Sequence, residues 1–279
     1  MSEINTILSG LFVTLALATA IAWILQRRNS VSPSIQNLNA RMRAWWIIIP
    51  ISATALLLGP TAILLLFALV SALALREYLP QGLHPALFLI LGLQYLWIYL
   101  GYNLAFLLWI PACALLMRKR AWALLLCVYS ISYIPALLYL KIPGYTGRNA
   151  LLVVFLVLLT QASDVLQYIW GRLLGRHLIA PILSPSKTME GLIGGIACAT
   201  ALGASLWSIT PFTPLQTAGM AFLITSAGFL GGLLLSAIKR KRGIKDWGNI
   251  FEGHGGILDR IDSLILSAPL FFYITQTLN

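Results

Sequence analysis

Acidic residues are scarce in this chain: eight Asp and Glu in 279 residues, against nineteen Lys and Arg, with charged side chains only 10% of the total. Soluble domains carry about 25% charged residues, so the scarcity excludes an ordinary water-soluble globule. Cysteine is also rare. Cys113, Cys127 and Cys198 all fall in apolar stretches, and none has the spacing of a metal knuckle or a disulfide framework. Sustained apolar–polar alternation is missing, which removes a membrane-spanning β-barrel. There is no Walker-type phosphate loop and no Ser-His-Asp order. The chain also lacks internal repeats, low-complexity linkers and any soluble segment that would present a basic face to nucleic acid.

What is present is apolar sequence in long runs. Hydrophobic residues make up 59% of the chain, and the mean hydropathy is +0.87. Continuous apolar runs in lipid must be helices, which satisfy their own backbone. The fold class is therefore all-α: a polytopic transmembrane helical bundle of about ten spans (nine to ten), with a polar site on its cytoplasmic face. The spans are expected near residues 6–25, 45–58, 61–78, 85–101, 103–117, 121–140, 149–171, 190–208, 215–237 and 261–277, and 26–44 reads as a polar loop. The run 45–79 breaks at Gly59-Pro60 into two short pieces, one of them a candidate re-entrant segment. The first run has no basic n-region or clear cleavage site, so it is expected to remain as a span. Residues 1–140 form an amino-terminal set of helices and 141–279 a carboxy-terminal half, within one integral membrane domain. Alternating the loops from a cytoplasmic 26–44 puts seventeen Lys/Arg on the cytoplasmic side and leaves Lys141 and Arg148 opposite. That asymmetry sets the orientation and places both termini outside the cytoplasm.

Charge concentrates between two apolar runs, at 236–263. Asp246, Glu252, Asp259 and Asp262 are half of all the acidic residues, and Lys239, Arg240, Lys241, Arg242, Lys245 and Arg260 accompany them. The cations are donors for phosphate oxygens. The carboxylates are hard oxygen ligands of the kind Mg²⁺ takes beside substrate phosphates. Gly253, Gly255 and Gly256 bracket His254 and allow close backbone approach to a ligand. Asp259 and Asp262, three apart, are expected to share one face at the start of the last helix. A second cluster covers 164–195. Asp164 lies inside an apolar run, where a carboxylate is costly unless paired or metal-bound. The piece Ser184-Pro185-Ser186-Lys187-Thr188 reads as a turn into a helix, with Ser186 as its N-cap and Glu190 in its first turns. Plainer roles fit the same pieces: a solvated basic loop, a structural Asp, a capped helix start. His84 and His177 are isolated and read as interfacial residues.

Both clusters carry a resemblance. Ser236, Ile238, Lys239, Arg240, Lys245, Asp246, His254, Gly255, Gly256, Ile257, Asp259, Arg260, Ile261 and Asp262 resemble the signature of the phosphatidate cytidylyltransferase (CDP-diacylglycerol synthase) family. Asp164, Gly171, Arg172, Gly175, Ser184, Pro185, Lys187, Thr188, Glu190, Gly191, Gly194 and Gly195 are similar to a second stretch of that family. The likeness covers residues from about 150 onward, and the first 140 only by hydropathy. Glu252 stands where the family has Pro, Gly or Ser, and Gly231-Gly232 where it has Gly-Asp.

The resemblance implies a membrane nucleotidyltransferase that condenses CTP with phosphatidate to give CDP-diacylglycerol and pyrophosphate, in a bacterial inner membrane. It implies Asp246, Asp259, His254 and Lys245 as catalytic residues. Lys187, Ser184, Thr188, Lys239, Arg240, Arg260 and Arg172 would hold substrate. Asp246, Asp259, Asp262 and Asp164 would hold Mg²⁺, with room for a second ion. The expected partners are CTP, phosphatidate or a related anionic lipid, the bilayer and, as an open arrangement, a second copy of the chain. Two other readings stay open: a cytidylyltransferase for a different lipid phosphate, and a weakened relative that binds anionic lipid, to which Gly232 points.

Overall fold

The structure, a computed structural model, describes residues 2–28, 33–80, 82, 84–101, 110, 111, 113, 120–250 and 255–278. The expected fifth span, at 103–117, falls almost wholly outside the described residues. The other expected spans correspond to helices α1 (Ser2–Arg28), α2 (Pro33–Leu58), α3 (Pro60–Tyr78), α4 (Pro85–Leu100), α5 (Ala121–Tyr139), α6 (Ala150–Leu174), α7 (Met189–Ser205), α8 (Pro214–Lys241) and, after a short α9 (Leu258–Ile261), α10 (Leu264–Leu278). Among the described residues, five helices are long and apolar enough to cross a membrane. Many carry large apolar side chains on their outer faces, such as Leu17, Ile21, Leu65, Leu89 and Leu230. A surface of that kind suits lipid rather than water, and the chain is an integral membrane protein built as an all-α polytopic bundle.

Helix starts follow local chemistry. Pro60, Pro85 and Pro214 each occupy the first turn, where a missing N–H costs nothing. His84 accepts from Ala86 N at 3.3 Å and caps α4. Thr213 and Gln216 form a reciprocal capping box on α8. The loop expected at 26–44 is shorter than the sequence suggested, because α2 begins at Pro33 and packs back along α1. Asn39 Nδ2 donates to Gln26 Oε1 (2.9 Å) and Trp46 Nε1 to Thr19 Oγ1 (3.0 Å), which extends the polar end of this hairpin as helix.

The core lies between α3, α4, α5, α6, α8 and α10. Tyr133, Phe155, Phe271 and Phe272 are fully buried. The rings of Phe155 and Phe271 are 5.9 Å apart, and those of Tyr133 and Phe272 are 5.2 Å apart. Several buried polar groups find partners, which matters in lipid. Tyr95 Oη donates to Phe67 O (2.8 Å) and meets Ser71 Oγ (2.6 Å), and Gln94 Nε2 donates to Ser132 Oγ (3.0 Å).

Two details differ from the sequence reading. Ser184–Thr188 is a strand, β2, paired antiparallel with β1 (Leu178–Ala180) through Leu178↔Thr188 and Ala180↔Ser184. The N-cap of α7 is consequently Thr188, whose Oγ1 accepts from Gly191 N at 3.1 Å; it is not Ser186. The chain also breaks at Asp262–Ser263, so Asp259 sits in α9 while Asp262 precedes α10. Instead of opening one helix together, the two carboxylates flank the break: Asp259 pairs with Lys239, and Asp262 interacts with both Lys187 and Lys239.

Candidate active site

α3, α6 and α8 all end, and α7 and α10 begin, at one end of the bundle. That end gathers both charged clusters. The approach of α7 to α6 is close: a Cβ on Gly195 would lie 2.7 Å from Gln167 N and 2.8 Å from its Cα. Such packing fixes the height of the β1–β2 hairpin, and with it the height of Lys187.

Lys187 is half-buried, with its ammonium 4.6 Å from the Phe229 ring. It interacts electrostatically with Asp164 and Asp262. Burial lowers its pKa, and the two carboxylates oppose that shift. Burial likewise raises the Asp262 carboxyl, against the pull of Lys187 and Lys239. Asp262 Oδ1 accepts from Ser263 N at 2.8 Å. Gly232 belongs to the same locus. A Cβ built there would stand 2.9 Å from Lys187 Nζ and 3.5 Å from Asp262 Oδ2. The lysine ammonium therefore occupies the space facing the position where the signature would supply a carboxylate.

Asp259 is held differently. Lys239 Nζ donates to Oδ1 at 2.7 Å, in a pair whose side chains are only 12% and 8% exposed. Oδ2 accepts from Trp247 N (2.8 Å) and Gly256 N (3.0 Å). Asp246, exposed, lies beside it: a Cβ on Gly255 would meet Asp246 Cβ at 3.3 Å and would also run into Asp259 Oδ2. Asp262 feels both Asp259 and Lys239. Asp164, Lys187, Asp262, Lys239 and Asp259 thus form one electrostatically connected row of alternating sign, and Arg260 acts on Asp164 at its end.

The remaining expected site residues are placed as follows. Arg240 is exposed and donates to Leu183 O (3.3 Å) and Ile244 O (3.2 Å), tying α8 to the hairpin. Lys245 and Arg172 are exposed on the same end, and Ser184 is half-buried at the start of β2. Thr188 serves as the α7 cap. Glu190 accepts from Arg176 N (3.0 Å) and meets His177 Nδ1 at 2.6 Å, so His177 is a hydrogen-bond partner of Glu190 and not isolated. His254 and Glu252 lie outside the described residues. Among the described residues, no three His, Cys, Asp or Glu side chains converge as a metal cage.

Glu77, Tyr78 and Trp247 escaped sequence reasoning. Glu77, near the end of α3, accepts from Ile257 N (2.7 Å) and Leu258 N (2.9 Å). Tyr78 stacks on Trp247 with ring centroids 5.1 Å apart, and its carbonyl accepts from Arg242 Nη1 at 2.7 Å. The Arg242 guanidinium lies 3.8 Å from the centre of the Tyr78 ring. One sequence signal existed: Glu77 is a carboxylate ending an apolar span, a costly placement that asks for a partner.

Residues 39–278 fit the model of a family described as the cytidylyltransferase family. An uncharacterized protein of Escherichia coli (strain K12), YnbB, is 38% identical over 298 residues, 96% of this chain and 97% of that protein. The phosphatidate cytidylyltransferase of Staphylococcus saprophyticus is 36% identical over 155 residues, and that of Staphylococcus haemolyticus 37% over 149. Both matches cover 52% of this chain and 56% of those enzymes.

Proposed function

Because the chain belongs to the cytidylyltransferase family, we propose that it is a membrane nucleotidyltransferase joining CTP to phosphatidate, giving CDP-diacylglycerol and pyrophosphate. The observation that carries this reading is the row of half-buried, alternating charges at one end of the bundle. Two anionic substrates must meet there, and fixed cations offset their repulsion.

An oxygen of the lipid phosphate attacks the α-phosphorus of CTP. The bond from that phosphorus to the bridging β-phosphate oxygen breaks, and pyrophosphate leaves. No protein nucleophile is needed. Lys187 and Lys239 hold substrate phosphate oxygens at the buried end, and exposed Lys245 and Arg172 attract the triphosphate from solvent. Arg240 fixes the hairpin that carries Lys187. The backbone amides of Trp247, Gly256, Ile257 and Leu258 are already taken by Asp259 and Glu77, which leaves phosphate recognition to side-chain cations. His254 is assigned here to the departing pyrophosphate.

The residues fit Mg²⁺ in kind. Asp164 and Asp262 are hard oxygen donors that already share an ammonium cation in Lys187, and Mg²⁺ is commonly held by one or two carboxylates plus substrate phosphates. Asp164 and Asp262 would hold it together with substrate phosphate oxygens, whose charge it would neutralise, while Asp246 stands exposed beside Asp259. Asp259, with Lys239 and two amides on its oxygens, is the partner that shapes the loop. The lipid tails stay in the bilayer, and the Lys/Arg excess at the site end supports a cytoplasmic-face site in a bacterial inner membrane.

Purified protein given CTP, Mg²⁺ and a panel of lipid phosphates tests the reading by mass spectrometry of the lipids. Phosphatidate should yield CDP-diacylglycerol. Product only from another lipid phosphate would move the substrate, and no nucleotide-linked lipid from any of them would refute the activity.

A further inference from the structure

The signature loop is gripped by two consecutive residues of the amino-terminal half. Glu77 and Tyr78 end α3, roughly 165–180 positions earlier in the chain. The Glu77 carboxylate takes two consecutive amides, Ile257 N and Leu258 N, at 2.7 and 2.9 Å. It fits there because two positions lack a side chain. A Cβ on Gly248 would lie 2.9 Å from Glu77 Oε1, and one on Gly256 would overlap the same carboxylate. Tyr78 holds the other limb. Its ring stacks on buried Trp247, and Arg242 closes over the Tyr78 ring while donating to the Tyr78 carbonyl.

We infer that Glu77 is a positioning residue, and that α3 acts as a clamp setting the loop geometry from Arg242 to Leu258. The loop has few means of its own for this. Among its described residues there is no strand, and the helical turn that follows is the four residues of α9. What holds it internally is Asp259, whose Oδ2 spans Trp247 N and Gly256 N. Glu77 grips the residues just beyond Gly256, so the two carboxylates bind four amides in two adjacent places. If Glu77 lets go, Gly256 is freed on one side, and Asp259 and its pair with Lys239 shift with it. The loss passes to the reacting end through Asp259 and Lys239, not through contact between Glu77 and substrate.

The catalytic arm of the test rests on the cytidylyltransferase reading; the structural arm does not. Hydrogen exchange of the purified protein in nanodiscs, without substrate, reads the clamp directly. Glu77→Gln replaces an acceptor of two amides by a group that can accept at only one oxygen. Exchange should quicken in peptides covering 242–250 and 255–258 and stay at the wild-type rate in α6 and α7. Gly248→Ala, which crowds the carboxylate without altering it, should give the same local pattern. In the catalytic arm, kcat for CTP turnover should fall by roughly ten- to hundredfold in Glu77→Gln, the usual scale for residues supporting a first layer of ligands, with partial recovery in Glu77→Asp. Wild-type exchange in 242–258 for both variants would overturn the inference. So would faster exchange spread evenly over the whole bundle, which marks a general stability role. A wild-type protein without turnover would count against the proposed reaction, while the exchange pattern would still decide the clamp.

Discussion

Asp259 shows what a single residue decides. From sequence it read as a metal ligand; in the fold its two oxygens receive an ammonium and two amides. Removing one partner of a buried ion pair leaves the other charge stranded, at a cost of about 3 kcal/mol or more. Asp259→Asn should therefore lower the melting temperature as well as the activity, read by a thermal-unfolding assay in detergent beside turnover. An unchanged melting temperature with lost turnover would mean that the carboxylate serves a bound cation rather than the loop. The signature residues were legible because charge so concentrated between apolar runs needs a reason. The roles within the set were not, since sequence shows which oxygens exist and not which donors reach them. What Glu77 binds was illegible for a related reason. Its partners are backbone amides, which every residue but proline carries, so no side-chain pattern near 257 points back to it.

Among the elements, the helices were largely readable and the hairpin was not. Apolar runs of 15 to 28 residues leave few alternatives to a helix. The piece 178–188 has no alternation, and its strands of three and five residues form because Glu190 and Thr188 pin its ends to the start of α7. The polar stretch before residue 45 looked like loop because its sequence is polar, yet a hydrogen bond to α1 helps carry it as helix. The α6–α7 pair is the element on which Lys187 depends. Gly195 lies against the Gln167 backbone, so Gly195→Val would wedge the helices apart. Overpacking of this kind costs about 1–3 kcal/mol. A thermal shift of matching size together with weaker CTP binding, measured by titration calorimetry, is the expected outcome. Normal stability and binding would mean that the hairpin is positioned without this contact.

On the scale of the molecule, the two ends differ in charge. The described cations of the far end are Lys141 and Arg148, and Arg148 is engaged by Glu3 at 2.6 Å and by Ser208 O at 2.9 Å. Glu3 therefore lies at the end away from the site, and α10 runs from the site toward that same end. The described ends of α1 and α10 share it, and the distribution of Lys and Arg along the sequence leads us to expect that end outside the cytoplasm. A carboxy-terminal reporter active only in the cytoplasm should stay silent, and a strong signal would invert the orientation. The central claim is that this membrane end transfers a nucleotidyl group to a lipid phosphate. Its most direct measurement is the fate of label from two forms of CTP, incubated with purified protein, Mg²⁺ and phosphatidate. Label from the α-phosphorus should enter the lipid fraction and label from the γ-phosphorus should appear as pyrophosphate, in equal amounts. Label from the γ-phosphorus in the lipid, or neither label moving, would contradict the account.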